Sequence, residues 1–121
     1  MRPYFERNGI TIYHGDCRDV LPQLPVGTVD ALVTDPPYGV GMQAFRDDFT
    51  VSLEGLRACT APLAAIFMSP GRVGDLIIGL DGCWTFHRLL WMHKAADIAA
   101  PWRSWCMNGE SIAIFSRQEA R

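Results

Sequence analysis

The residues best suited to chemistry are Asp35-Pro36-Pro37-Tyr38, which follow directly on the apolar run Val29-Asp30-Ala31-Leu32-Val33-Thr34. Two successive prolines remove two backbone donors and fix two φ angles, so this segment turns away from a strand instead of continuing it. At the carboxyl edge of a parallel sheet, where such folds place their ligands, it would present a carboxylate, a rigid carbonyl at Pro36 and an aromatic face. An exocyclic amine on a nucleobase needs two acceptors for its two hydrogens. A base taken out of a duplex also needs a flat surface to stack on. The four residues supply all three. The plainer alternative is a proline turn with a solvated Asp35; the strand before it and the irregular residues 39–48 after it give the motif its context.

A second set is more diffuse. His87, Arg88, His93, Lys94 and Arg103 are interleaved with Trp91, Trp102 and Trp105, and only Asp97 opposes them. Cations with aromatics suit a flipped base and its phosphates, which makes Lys94, Trp102, Arg103 and Trp105 candidate DNA contacts. The other reading is a buried Trp91 on a strand followed by a solvated loop. The histidines have no clustered partner and read as surface or core residues. Met68-Ser69-Pro70 either lines the same pocket as Asp35 or is a structural turn.

These residues need elements to hold them. Asn8-Gly9, between residues 3–7 and 10–14, is a strong hairpin-turn signal, and Ile10-Thr11-Ile12-Tyr13-His14 has strand composition. Asp16 can N-cap a short helix through residue 21, with Asp19 in the first turn, and Pro22 and Pro25 keep it short. Residues 29–34 predict a second strand, apolar enough to lie inside a sheet. A helix over 51–61 stops before Pro62. Residues 64–68 predict a third, buried strand, and 73–80 a helix with Leu76, Ile77 and Leu80 on one face. Residues 84–94 and 111–116 predict two final strands, with 95–110 a loop. Strands alternating with helices indicate an α/β fold with a parallel sheet that ends in an antiparallel pair.

Composition bounds the rest. A chain of 121 residues, 49% hydrophobic and 20% charged, predicts one globular domain over 1–121. No apolar run approaches the ~20 residues of a membrane span, and the opening residues lack the apolar stretch of a secretory signal. Cys17, Cys59, Cys83 and Cys106 are widely spaced and offer no metal-ligand spacing. They read as buried, reduced thiols of a cytoplasmic protein. A net charge of -2 argues against a strong non-specific nucleic-acid binder but leaves room for a local basic groove.

Asp35-Pro36-Pro37-Tyr38, preceded by Tyr13-His14-Gly15-Asp16-Cys17, then residues 21–25 and 29–34, resembles the amino-type DNA methyltransferases. These enzymes of bacteria and phages, many from restriction-modification systems, move a methyl group from S-adenosylmethionine (SAM) to adenine N6 or cytosine N4. The resemblance is to those whose catalytic motif comes early. It is close over residues 4–39 and looser to 116. It implies that Asp35 accepts a hydrogen bond from the target amine, that the Pro36 carbonyl accepts the second, with Pro37 completing the turn, and that Tyr38 stacks on the flipped base. It places Asp16 and Cys17, with Asp35, at the cofactor, Asp16 and Cys17 against the adenine of SAM. The sequence has no Pro-Cys pair, the nucleophile of the cytosine-C5 class. Asp at the first motif position leans to adenine; cytosine stays open.

The family's aromatic-x-Gly-x-Gly SAM loop does not occur in this sequence. Gly71-Arg72-Val73-Gly74 and Gly79-Leu80-Asp81-Gly82 have the wrong spacing for it. In the family sheet order, 3-2-1-4-5-7-6, this chain supplies equivalents of strands 3 to 7. The expectation is therefore a partial, Rossmann-like SAM-methyltransferase sheet with an N-terminal hairpin, whose third and fourth strands face a gap. A complementary chain or dimer partner would fill it. The alternative function is a remnant that binds DNA or a partner without catalysis.

Overall fold

The computed structural model describes residues 1–39, 41, 47–93 and 109–117. The element order is β1 (Phe5–Arg7), β2 (Ile10–Ile12), α1 (Cys17–Val20), β3 (Ala31–Thr34), α2 (Phe49–Ala58), β4 (Leu63–Met68), α3 (Val73–Leu80), β5 (Trp84–His93) and β6 (Gly109–Arg117). Short 3-10 turns at Leu21–Gln23 and Pro70–Arg72 follow α1 and precede α3.

β1 and β2 form the expected hairpin, with Phe5 opposite Ile12. Asn8 (φ 51°) and Gly9 (φ 76°) both take the left-handed conformation of a two-residue hairpin turn. The other four strands form one sheet in the order β3-β4-β6-β5. β3 runs parallel to β4, whereas β6 is antiparallel to both β4 and β5. This order corresponds to the 4-5-7-6 part of the sheet that the resemblance implies. The hairpin is a separate sheet, and β3 has no partner on its outer edge among the described residues.

The core lies on one face of the sheet. Ala64, Ile66 and Met68 alternate along β4 and stand beside Ala113 and Phe115 of β6; all five are at most 3% exposed. Leu56 of α2 and Leu76 and Leu80 of α3 close over them. This is the strand period of two meeting the helical period of 3.6. Trp84, at the start of β5, is 2% exposed and donates its indole N–H to the Leu56 carbonyl at 3.0 Å, tying the sheet to the C-terminal half of α2.

The sequence expectations need four corrections. Residues 29–34 were expected inside the sheet, but β3 is an edge strand and Val33 is 71% exposed, because β4 lies on one side of it only. Trp91, expected buried, is 50% exposed. It pairs with Ser111 beyond the reach of α3, and its indole lies over Gly109, where a Cβ would meet Nε1 at 2.5 Å. Cys17 is exposed, although Cys59 is buried. Finally, α2 begins and ends earlier than residues 51–61. The Asp48 carboxylate caps the N–H groups of Thr50 and Val51, and Cys59 is already extended. Among the described residues no helix is long and apolar enough to cross a membrane.

Candidate active site

β3 ends at Thr34, and the chain turns through Asp35, Pro36 and Pro37 over the N-terminal half of α2. Here a cavity of about 450 Å³ opens. One wall is Asp35, Pro36 and Pro37; the opposite end is Gly15, Asp16 and Cys17, delivered by the segment between β2 and α1. Leu21, Leu32, Val51 and Leu56 make the sides apolar, and Ser52 and Gly55 contribute from α2. Residues expected to hold the amine and residues expected to hold the cofactor thus share one cavity, although Asp16 and Asp35 are on separate elements. Its volume suits a small-molecule site.

The cavity can come this close to α2 because of Gly55. A Cβ there would lie 2.5 Å from the Cys17 Sγ, so glycine lets α1 and α2 approach. Asp16 caps α1 by accepting from the Arg18 N–H at 2.9 Å. The Arg18 side chain returns to the same carboxylate through Nε at 3.0 Å and Nη2 at 2.7 Å, while Nη1 reaches Glu54 at 3.0 Å. Hydrogen bonds that it donates to Asp16 and then to Glu54 hold the guanidinium above its already high range.

The turn itself is fastened carbonyl by carbonyl. Ser52 Oγ donates to the Pro37 carbonyl at 2.9 Å. Arg72 Nε donates to the Tyr38 carbonyl at 3.1 Å, and its guanidinium lies 4.6 Å from the Phe49 ring centre and 2.7 Å from Asp75. Asp47 receives the N–H groups of Gly39 at 2.6 Å and Gly41 at 2.8 Å. Pro36 lines the cavity, and no donor to its carbonyl occurs among the described residues.

Tyr38 lies beside the cavity, with its hydroxyl between two carboxylates. It donates to Asp35 Oδ1, and Glu110 Oε1 at the start of β6 is 3.0 Å away. Partial burial, then the bonds to Asp35 and Glu110, push the phenol well above its ordinary value of 10. Met68, Ser69 and Pro70 do not line the cavity; that segment is the turn that carries Arg72 to Tyr38. Lys94, Trp102, Arg103 and Trp105 lie outside the described residues.

Sequence reading did not find Ser52, Arg72 or Glu110. Asp48, before an apolar run, carried a readable cap signal. The others act through long-range contacts that leave no local pattern.

Comparison with known proteins bears on the fold and the family. No protein-family model matches the chain. One segment is 38% identical over 42 residues to the type II methyltransferase M.ScaI of Streptomyces caespitosus, covering 35% of this chain and 14% of that protein. Another match is 43% identical over 49 residues to the type II methyltransferase M.Cfr9I of Citrobacter freundii, covering 40% and 16%. Among solved structures, the M1.HpyAVI–SAM complex superposes with a TM-score of 0.62 at 18% identity, over 90% of this chain and 55% of that one. A protein assigned as a DNA modification methylase of Thermus thermophilus gives 0.64 at 18%, over 88% and 54%. The matches span about half the length of these solved structures and a smaller share of the curated relatives. The chain therefore has the α/β fold of SAM-dependent methyltransferase structures and partial homology to type II methyltransferases, which together support a DNA methyltransferase family.

Proposed function

We propose that this chain is the catalytic part of a DNA amino-methyltransferase, acting on adenine N6 or cytosine N4 after the base is flipped out of the duplex. The observation that carries this reading is the convergence of Asp35 and Pro36 with Asp16 and Cys17 in one cavity. Their chemistry fits an adenosine cofactor. Acceptors stand at both ends and apolar side chains between them, as a purine with donor groups requires.

In this reading Asp16 and Cys17 contact the adenosine end of SAM. When bound, SAM supplies an electrophilic methyl group on its sulfonium. Asp35 takes one hydrogen of the target amine and the Pro36 carbonyl the other, which aims the nitrogen lone pair at that methyl. The Pro37 carbonyl is already committed to Ser52 and the Tyr38 carbonyl to Arg72, so neither competes with the Pro36 carbonyl for the amine. The ring of Tyr38 offers the stacking face. The methylated nitrogen sheds its proton along the hydrogen bond to Asp35. Catalysis is then mainly positioning and exclusion of water, and no covalent enzyme intermediate forms. Lys94, Trp102, Arg103 and Trp105 are proposed DNA contacts on sequence grounds. The unpaired edge of β3 supports a complementary chain as the partner that completes the sheet.

A second reading is binding of DNA or a partner without SAM. Two measurements separate them, S-adenosylhomocysteine binding by calorimetry and label transfer from methyl-labelled SAM to DNA. Binding at micromolar concentration and transfer abolished by Asp35→Ala are expected. Salt-sensitive DNA binding by a folded chain that binds no S-adenosylhomocysteine would replace the first reading with the second.

A further inference from the structure

Glu110 belongs to no motif in the sequence, yet it shares a hydroxyl with Asp35. Its Oε1 lies 3.0 Å from the Tyr38 hydroxyl oxygen, across 72 residues of sequence, and that hydroxyl also contacts Asp35 Oδ1. Glu110 is held on β6, opposite Met92 of β5. Asp35 is on the turn after β3 and lines the cavity. Tyr38 is the bridge between a fixed strand and the reacting end of the cavity.

A phenol has one proton and can donate it to one acceptor at a time. With two carboxylates in reach, the Tyr38 O–H bond must choose. Donation to Asp35 occupies one acceptor site of Oδ1 and competes with an incoming amine at that oxygen. Simple release would leave a half-buried hydroxyl without an acceptor, the costly state for a polar group in a protein interior. Glu110 removes that cost. The hydroxyl can turn from Asp35 to Glu110 by rotation about its C–O bond, with no movement of the ring and no transfer of a proton between residues.

We propose that Glu110 is a positioning residue that accepts the Tyr38 hydroxyl when the substrate amine docks on Asp35. This rests on the reading of Asp35 as the amine acceptor. Before docking, the hydroxyl holds the Asp35 carboxylate in place; on docking, the amine N–H replaces the phenol O–H on Asp35, and the phenol O–H passes to Glu110. Asp35 keeps a donor and the phenol keeps an acceptor throughout the exchange. The exchange keeps Asp35 oriented without letting Tyr38 block it.

The test has two arms. In the first, the Cζ signal of Tyr38 is followed by NMR in chain labelled with 13C-tyrosine and assigned with Tyr38→Phe among the three tyrosines. Asp35→Ala alone and Glu110→Ala alone should each leave a hydrogen-bonded signal, and Asp35→Ala with Glu110→Ala should shift it to that of a free phenol. A free-phenol signal in Asp35→Ala alone overturns the proposal, because Glu110 then accepts nothing. In the second arm, methyl transfer to DNA is measured. Glu110→Ala should lower kcat by about tenfold, the effect of one interaction of ordinary hydrogen-bond strength, with little change in KM for SAM. Glu110→Gln, which keeps an acceptor oxygen, should recover most of the loss. In a Tyr38→Phe background, Glu110→Ala should cost nothing further. An equal loss with and without the Tyr38 hydroxyl overturns the proposal. No transfer by any variant, with the NMR pattern as expected, refutes the methyltransferase reading and leaves the two-acceptor hydroxyl standing, so the two failures are distinguishable.

Discussion

Ser52 Oγ lies 2.9 Å from the carbonyl oxygen of Pro37, and this bond fastens the Asp35–Tyr38 turn to α2. Ser52 is 6% exposed and sits on the first turns of α2. It donates to Pro37 and back to the Asp48 carbonyl at 3.2 Å. Ser52→Ala should therefore destabilise the chain by about 1–2 kcal/mol, since it removes a bond and leaves a half-buried carbonyl unsatisfied. Urea unfolding checks the cost. S-adenosylhomocysteine titration should show weaker binding as the turn loosens.

Gly55 sets the width of the cavity. Gly55→Ala adds a Cβ 2.5 Å from the Cys17 Sγ. Helix propensity favours alanine by about 1 kcal/mol, so the clash should appear in ligand binding more than in folding. A loss of about tenfold in S-adenosylhomocysteine affinity is expected, with recovery when Cys17→Ala is added. Equal binding by wild type and Gly55→Ala would mean that the ligand does not use the space between α1 and α2.

Arg72 clamps the turn from the other side, through the Tyr38 carbonyl, the Phe49 ring and Asp75. Lysine cannot reproduce the fork or the flat stacking of a guanidinium. Arg72→Lys should lose nearly as much stability as Arg72→Ala, about 1–2 kcal/mol by loss of a charge-assisted bond. A lysine variant as stable as wild type would show that charge alone matters here.

The Tyr38 phenol gives stability an alkaline limit. Its folded value is raised above the ordinary 10 by partial burial and by the Asp35 and Glu110 carboxylates. A raised folded value means that the folded state keeps its proton while the unfolded state gives it up. The contribution is therefore fully present below pH 10 and is lost as pH rises above it. The denaturation midpoint should fall progressively as pH rises above about 10, and Tyr38→Phe should flatten that decline. A slope that Tyr38→Phe does not change would assign it to other groups.

Among the described residues, the fully buried Ser111 hydroxyl has no hydrogen-bond partner. An orphaned polar group costs about 1–3 kcal/mol, and its removal can be stabilising. Ser111→Ala should raise stability by about 1 kcal/mol, read from the thermal or urea midpoint. A loss of stability would mean that the hydroxyl has an acceptor in solution.

The parts legible in the sequence are those set by neighbours along the chain. Asn8-Gly9 can fold only as a tight left-handed turn, Asp16 caps the helix it precedes, and Leu76 and Leu80 share a face because the helix repeats every 3.6 residues. Asp35-Pro36-Pro37-Tyr38 announced its chemistry because proline fixes its backbone locally. What tertiary structure decided depends on residues far apart in sequence. That Asp16 and Asp35 meet in one cavity follows from α2 folding beneath both, with Gly55 permitting the approach. That the Pro37 carbonyl is held follows from Ser52, and the second acceptor beside the Tyr38 hydroxyl is Glu110, 72 residues away. The exposure of Val33 and Trp91 also escaped the sequence. Hydrophobicity tells a residue to seek cover, but only the arrangement of strands and helices determines whether cover is there.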